Sequence, residues 1–278
     1  VGPGAGEAQR LTALDGPALA GWLAGDVPGE ALLRDLRAEA VLAVTRSRDL
    51  VARLRDLAPR VLEQDPSPGP GIDASLWYAE PLRALGADPA PGPPLLHFTS
   101  EERRAADEWA SRLPPRFLAV HPGSGSPTKN WPAERFALLV RAHGGGLPWL
   151  LSSGPAEAEL IGPLAALPGA VLARDLPARV LGALLARAGL YVGNDSGVTH
   201  LAAAAGAPTL ALFGPTDATT WTPVDPLVET VSSPDGHMGG LDLARVRRAA
   251  AQLLERARRA PREEAGAGRP GGSRGERG

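Results

Sequence analysis

Three residues of this 278-residue chain are conspicuous by rarity: Lys129 is its only lysine, and Asn130 and Asn194 are its only asparagines. Alanine, glycine, proline and arginine dominate elsewhere, as in proteins encoded by GC-rich DNA. All three rare residues fall in two polar segments, although a handful of residues can also cluster by chance. The first segment runs His121-Pro122-Gly123-Ser124-Gly125-Ser126-Pro127-Thr128-Lys129-Asn130-Trp131-Pro132. Its glycines allow the backbone to turn tightly and approach an anion, the hydroxyls of Ser124, Ser126 and Thr128 can donate to the anion's oxygens, and Lys129 supplies the opposite charge. It lacks the Gly-Lys-Ser/Thr ending of a P-loop. The second segment, Gly193-Asn194-Asp195-Ser196-Gly197-Val198-Thr199-His200, opens a helix of small residues. Unpaired N–H groups and partial positive charge at such a helix start suit a diphosphate, with Ser196, Gly197, Val198 and His200 forming the cradle. Asp195 reads either as part of the site or as a helix cap. His200 reads either as a donor to the same anion or as an ordinary first-turn histidine.

These loops need a scaffold that brings them together. Short apolar runs at 117–120, 149–152, 170–172, 190–192 and 209–213 read as strands, with helices expected over 133–143, 156–167, 178–188 and 198–205. Unalternating apolar strands joined by helices indicate a parallel sheet covered on both faces. Ligands of such sheets sit beyond the carboxyl ends of the strands, where both polar segments lie. Phe213-Gly214-Pro215-Thr216-Asp217 ends a further strand on that edge and is expected to close the pocket. Glu157, after Ser152-Ser153-Gly154-Pro155, also points there, where its carboxylate could take ribose or sugar hydroxyls or simply complement a helix dipole.

Upstream, strands are expected at 40–44 and 61–62, and helices at 47–57 and 72–85. Thr99-Ser100-Glu101-Glu102 offers a capped helix start. Proline- and glycine-rich breaks at 66–71 and 89–94 place the domain boundary, which gives an amino-terminal domain over 1–97, a linker helix over 98–115 and a second domain over 116–260. Residues 261–278, rich in Gly, Arg, Glu and Pro, are expected to be a disordered tail. With 29 Lys+Arg against 31 Asp+Glu, no broad basic field argues for nucleic acid as the main ligand. The absence of cysteine removes disulfides, thiolate zinc sites and cysteine nucleophiles. Apolar runs fall well short of the ~20 residues of a membrane span.

The ordered set His121-Pro122-Gly123 with Lys129 and Trp131-Pro132, then Gly193-Asn194-Asp195-Ser196-Gly197 with His200, then Gly214-Pro215-Thr216-Asp217 resembles glycosyltransferase family 9. The resemblance covers residues 117–223. It implies an α/β chain of GT-B fold, with two Rossmann-like domains built on parallel sheets. It also implies an inverting transfer of a heptose-like sugar from a nucleotide-diphosphate donor, an ADP-sugar, to a lipopolysaccharide-core or other glycan acceptor. No metal and no cofactor beyond the donor are required. Lys129 and residues Asp195 to Val198 would hold the diphosphate, and Glu157 would contact donor hydroxyls. The implied setting is the cytoplasm, with a peripheral place at the inner membrane open to it.

The family begins with a strand leading to a Leu-Gly-Asp loop, whose aspartate is its catalytic base; no residue here takes that role. Val1-Gly2-Pro3 resembles a later strand end, so the amino-terminal domain is expected to be truncated, and neither Asp15-Gly16 nor Gly25-Asp26 follows a suitable strand. Two alternatives follow. One is an inactive or truncated relative that only binds sugar nucleotides, and the other is a different GT-B enzyme such as a sugar-nucleotide epimerase.

Overall fold

The computed structural model describes residues 38–260, except Leu57, Ala90, Pro91, Leu95, Gly144, Gly145, Ala158 and Glu159. The expectations for the chain start and for the 261–278 tail lie outside these residues. The described residues divide into two compact units, one of residues 38–69 and 75–90 and the other of 70–74 and 91–260.

In the first unit, strands β1 (Val41–Val44) and β2 (Val61–Gln64) pair in parallel with Val41 opposite Val61. Helix α1 (Arg48–Arg55) crosses between them, capped by the Ser47 side chain, which accepts from Leu50 N. Helix α2 (Ala74–Ala79) and a 3-10 segment (Glu80–Leu85) follow.

The second unit opens with α3 (Ser100–Ala110), whose start is a complete capping box: Thr99 Oγ1 accepts from Glu102 N, and Glu102 returns a carboxylate to Thr99 N. A six-stranded sheet follows, made of β3 (Leu118–His121), β4 (Trp149–Ser153), β5 (Ala170–Arg174), β6 (Leu190–Asn194), β7 (Thr209–Phe213) and β8 (Val228–Ser232). Its order is β5-β4-β3-β6-β7-β8, with every pair parallel. The helices are α4 (Ala133–His143), α5 (Gly162–Ala165), α6 (Ala178–Leu185), α7 (Gly197–Ala204), α8 (Ala218–Trp221) and α9 (Leu243–Arg259).

Both sheet faces are buried, which is why the strands do not alternate. Leu118, Val120, Leu190 and Val192 join a core with Phe136 and Leu139 of α4 and Val246 and Leu253 of α9. On the other face Ala119 and Tyr191 meet Ala106 of α3 and Leu181 and Leu184 of α6.

Three expectations change, the first being that the helix expected over 72–85 is α2 followed by the 3-10 segment, with Pro81 at the junction. The single helix over 156–167 is instead a 3-10 turn (Pro155–Glu157) followed by the short α5, with Pro163 near its start. Proline lacks an N–H and clashes one turn back, so it starts a helix more readily than it continues one. Strand β8 was not expected, because its Val-Glu-Thr-Val-Ser sequence buries only Val231.

This strand order fixes the site. The chain winds from β3 outward to β5, then returns to β6 on the other side of β3 and winds outward again to β8. The reversal lies between β3 and β6, and a crevice opens beyond the carboxyl ends of the strands at such a switch point. Both polar loops leave from these two strands.

Candidate functional site

The loop after β3 and the loop after β6 are joined by Asn194, the fully buried last residue of β6. Its Nδ2 donates to the Pro122 carbonyl at 2.7 Å, and its Oδ1 accepts from Trp131 N at 3.0 Å. Lys129, in a 3-10 turn (Pro127–Lys129), reaches Asp195 with Nζ 3.1 Å from Oδ2. Both side chains are largely covered, at 23% and 10% exposed, so the pair is shielded from much of the solvent.

Asp195 is not the cap of α7. That role belongs to Ser196, which is extended and whose hydroxyl accepts from Thr199 N. Gly197 is exposed, Val198 is partly covered, and His200 lies exposed one turn on. Partial burial pulls the His200 imidazole below its ordinary pKa; Asp195 opposes that shift and Lys129 adds to it. Thus Lys129, Asp195 and His200 share one electrostatic neighbourhood at the start of α7.

The other predicted loop residues brace the turn. Ser124 Oγ lies 2.7 Å from both Ser126 O and Asn130 Oδ1, and the hydroxyls of Ser126 and Thr128 are 2.9 Å apart. Glu157 is buried beside the same loop: its Oε2 accepts from Gly154 N at 2.7 Å, and its Oε1 lies 4.0 Å from His121 Nε2. His121 Nδ1 faces the Ser152 carbonyl at 3.0 Å. Burial lowers the His121 pKa, outweighing the opposing effects of Glu157 and of the Ser152 hydrogen bond. The ring is therefore neutral near pH 7, donates from Nδ1 and turns a lone pair toward the carboxylate side. His121 and Asn194 lie in the quoted segments, yet nothing in residue type alone reveals their cross-strand partners.

Gly123 and Gly193 are needed for space. Neither Gly123 nor Gly193 has a positive φ. A Cβ on Gly123 would lie 2.1 Å from Glu157 Cγ, and one on Gly193 would lie 2.3 Å from the Tyr191 hydroxyl. They admit buried polar side chains under the loops. Tyr191 and Thr199 share a hydrogen bond of 3.1 Å there, and burial raises the phenol's pKa so that it stays neutral.

The segment after β7 ends in an exposed cap. Asp217 caps α8 and accepts from Thr219 N, the hydroxyls of Thr219 and Thr220, and Gly71 N. A Cβ on Gly214 would meet Met238 Sδ at 2.5 Å. Among the described residues no group of three or more His, Cys, Asp or Glu could hold a metal ion, and no helix is long and apolar enough to cross a membrane.

The chemistry assembled at the switch point is therefore a covered ammonium, a capped helix start and a buried carboxylate, a set suited to a diphosphate with hydroxyl groups nearby. Comparison with known proteins agrees with this architecture. The chain is similar to the glycosyltransferase of family 9 from Veillonella parvula, with 20% identity and a TM-score of 0.70 over 82% of this chain and 78% of that one. It is likewise similar to the ADP-heptose lipopolysaccharide heptosyltransferase II of Escherichia coli, with 20% identity and a TM-score of 0.65 over 83% and 80%. The fold is thus α/β and GT-B-like.

Lipopolysaccharide heptosyltransferase 3 of Escherichia coli is 32% identical over 119 residues, which are 38% of this chain and 34% of that protein. The match spans about a third of the length of the curated relatives. Residues 78–244, well over half of the chain and including both loops, match the family model described as glycosyltransferase family 9 (heptosyltransferase). The chain belongs to that family.

Proposed function

We propose that the crevice between the β3 and β6 loops holds the diphosphate of an ADP-activated, heptose-like sugar, and that the protein transfers this sugar to a lipopolysaccharide-core or related glycan acceptor. The observation that carries this reading is the convergence of Lys129, the chain's single lysine, with the Ser196-capped start of α7. Relatives named for heptose transfer, and for ADP-heptose in one case, support the choice of donor.

In the transfer an acceptor hydroxyl attacks the anomeric carbon, the new C–O bond forms with inversion, and the bond from that carbon to the diphosphate oxygen breaks. The acceptor's proton passes to a base. Negative charge builds on the departing nucleotide diphosphate, where Lys129 and the N–H groups of α7 would stabilise it; preorganised electrostatics of this kind usually dominates catalysis. Glu157 would accept from donor hydroxyls. The setting proposed is the cytoplasmic face of the inner membrane, where such a donor and acceptor meet.

Calorimetric titration of ADP tests the reading directly. Lys129→Ala should weaken ADP binding by roughly ten- to a hundred-fold, the scale of a lost hydrogen bond between charged groups. Equal affinities for the two proteins would remove Lys129 from the site, and no binding to either would remove the nucleotide.

A further inference from the structure

The loop carrying Lys129 leaves the sheet after His121 and rejoins a regular element at Ala133, two residues beyond Trp131. Both ends are gripped by the Asn194 side chain, which donates to Pro122 O at 2.7 Å and accepts from Trp131 N at 3.0 Å. A longer contact, 3.5 Å, reaches Gly123 O. The next two residues along the chain are Asp195, which meets Lys129, and Ser196, which caps α7. One amide thus closes the neck of the first loop and ties it to the origin of the second.

The residue type follows from this geometry. A carbonyl and an N–H must be satisfied at once by a single planar group one methylene from the backbone, and only asparagine offers both a donor and an acceptor at that length. Aspartate has no donor for Pro122 O, leucine has neither function, and serine is too short to span both groups. The amide is fully buried, so each partner left without it would be a backbone group denied water.

We infer that Asn194 is a positioning residue of the donor site, setting the separation between Lys129 and the start of α7 and thereby the affinity for a diphosphate. The inference rests on the diphosphate reading proposed above. With its amide fully buried on backbone partners, Asn194 acts through the loop that carries Lys129.

The test uses the full chain, with ADP and inorganic pyrophosphate as titrants. Asn194→Ala, and Asn194→Ser should the first fail to fold, are expected to bind both at least ten-fold more weakly. Placed in a Lys129→Ala background, the same substitution should cost less than three-fold, because the charge it positions is already gone. Leu253→Ala, which destabilises the core away from both loops, should keep wild-type affinity and serves as the control for lost stability. Unchanged affinity in the Asn194 variants overturns the inference. So does a loss that multiplies fully with that of Lys129→Ala, or one that Leu253→Ala reproduces. Should wild-type protein bind neither titrant, the diphosphate reading falls first. Binding by wild type with no effect at Asn194 removes the positioning role alone.

Discussion

Gly123 is required by Glu157, not by its own backbone. A methyl group there would lie 2.1 Å from Glu157 Cγ and 2.3 Å from its Oε1. Because the clash begins at Glu157 Cγ in a buried side chain, Gly123→Ala should push the whole Glu157 side chain aside and displace its carboxylate from Gly154 N. If Glu157 serves donor hydroxyls, the variant should bind ADP roughly ten-fold more weakly, matching Glu157→Ala, while its affinity for inorganic pyrophosphate stays unchanged. Calorimetry with both titrants checks this, and an equal loss for both would place Glu157 at the diphosphate instead. At this scale the sequence is legible where residue type alone carries the signal. Lys129 is conspicuous as the single lysine, and a helix start is legible after β6, although Asp195 reads as its cap and Ser196 takes that role. It is silent where meaning depends on a partner across the sheet. The contacts of Asn194 with Pro122 and Trp131 span 72 and 63 residues, and those of His121 with Ser152 span 31. No local pattern encodes such distances, and the glycines that admit Glu157 and Tyr191 look the same as glycines that merely turn.

Helix starts are the elements in which local sequence and structure agree best, since a cap is made by residues three or fewer apart. Thr99 and Glu102 form the box that their spacing predicts. Asp217 caps α8 more heavily, receiving hydrogen bonds from two threonine hydroxyls and the amides of Thr219 and Gly71. These hold its pKa down at about 2, against an ordinary 3.8, with the Thr219 hydroxyl the largest cause. The folded-state value is depressed, so the stabilisation is complete above 3.8 and is lost as pH falls toward 2. Thermal denaturation of wild type and Asp217→Asn should therefore differ at pH 5, with the gap closing between pH 3.8 and 2. A gap independent of pH would mean that the carboxylate's charge contributes nothing to the cap. Elements shaped by weaker or longer-range preferences escape local reading. Pro163 divides the span expected as one helix, and β8 exists because its backbone completes the ladder beside β7, with Val228 opposite Thr209, although its side chains are half polar.

Across the whole second unit, the order β5-β4-β3-β6-β7-β8 makes the loops after β3 and β6 neighbours although about 70 residues separate them in the chain. The apolar strand runs announce a parallel sheet, but strand order is a property of chain winding that no single run records. This architecture separates what stabilises the protein from what binds the ligand. The core between the sheet and helices α4 and α9 lies on one face, whereas the crevice lies beyond the strand ends. Leu253, on α9, is fully buried in that core together with Val246 and Val231. Truncating it removes apolar contact and leaves a cavity, at a cost of about 2–5 kcal/mol. Leu253→Ala should accordingly lower the urea midpoint substantially, while folded protein titrated with ADP well below that midpoint keeps wild-type affinity. A parallel loss of affinity in protein shown by circular dichroism to be fully folded would mean that packing of α9 reaches the loops through the sheet. In that case the rigidity of the β3 and β6 strand ends, and not the Asn194 contact, would set the spacing between Lys129 and the start of α7.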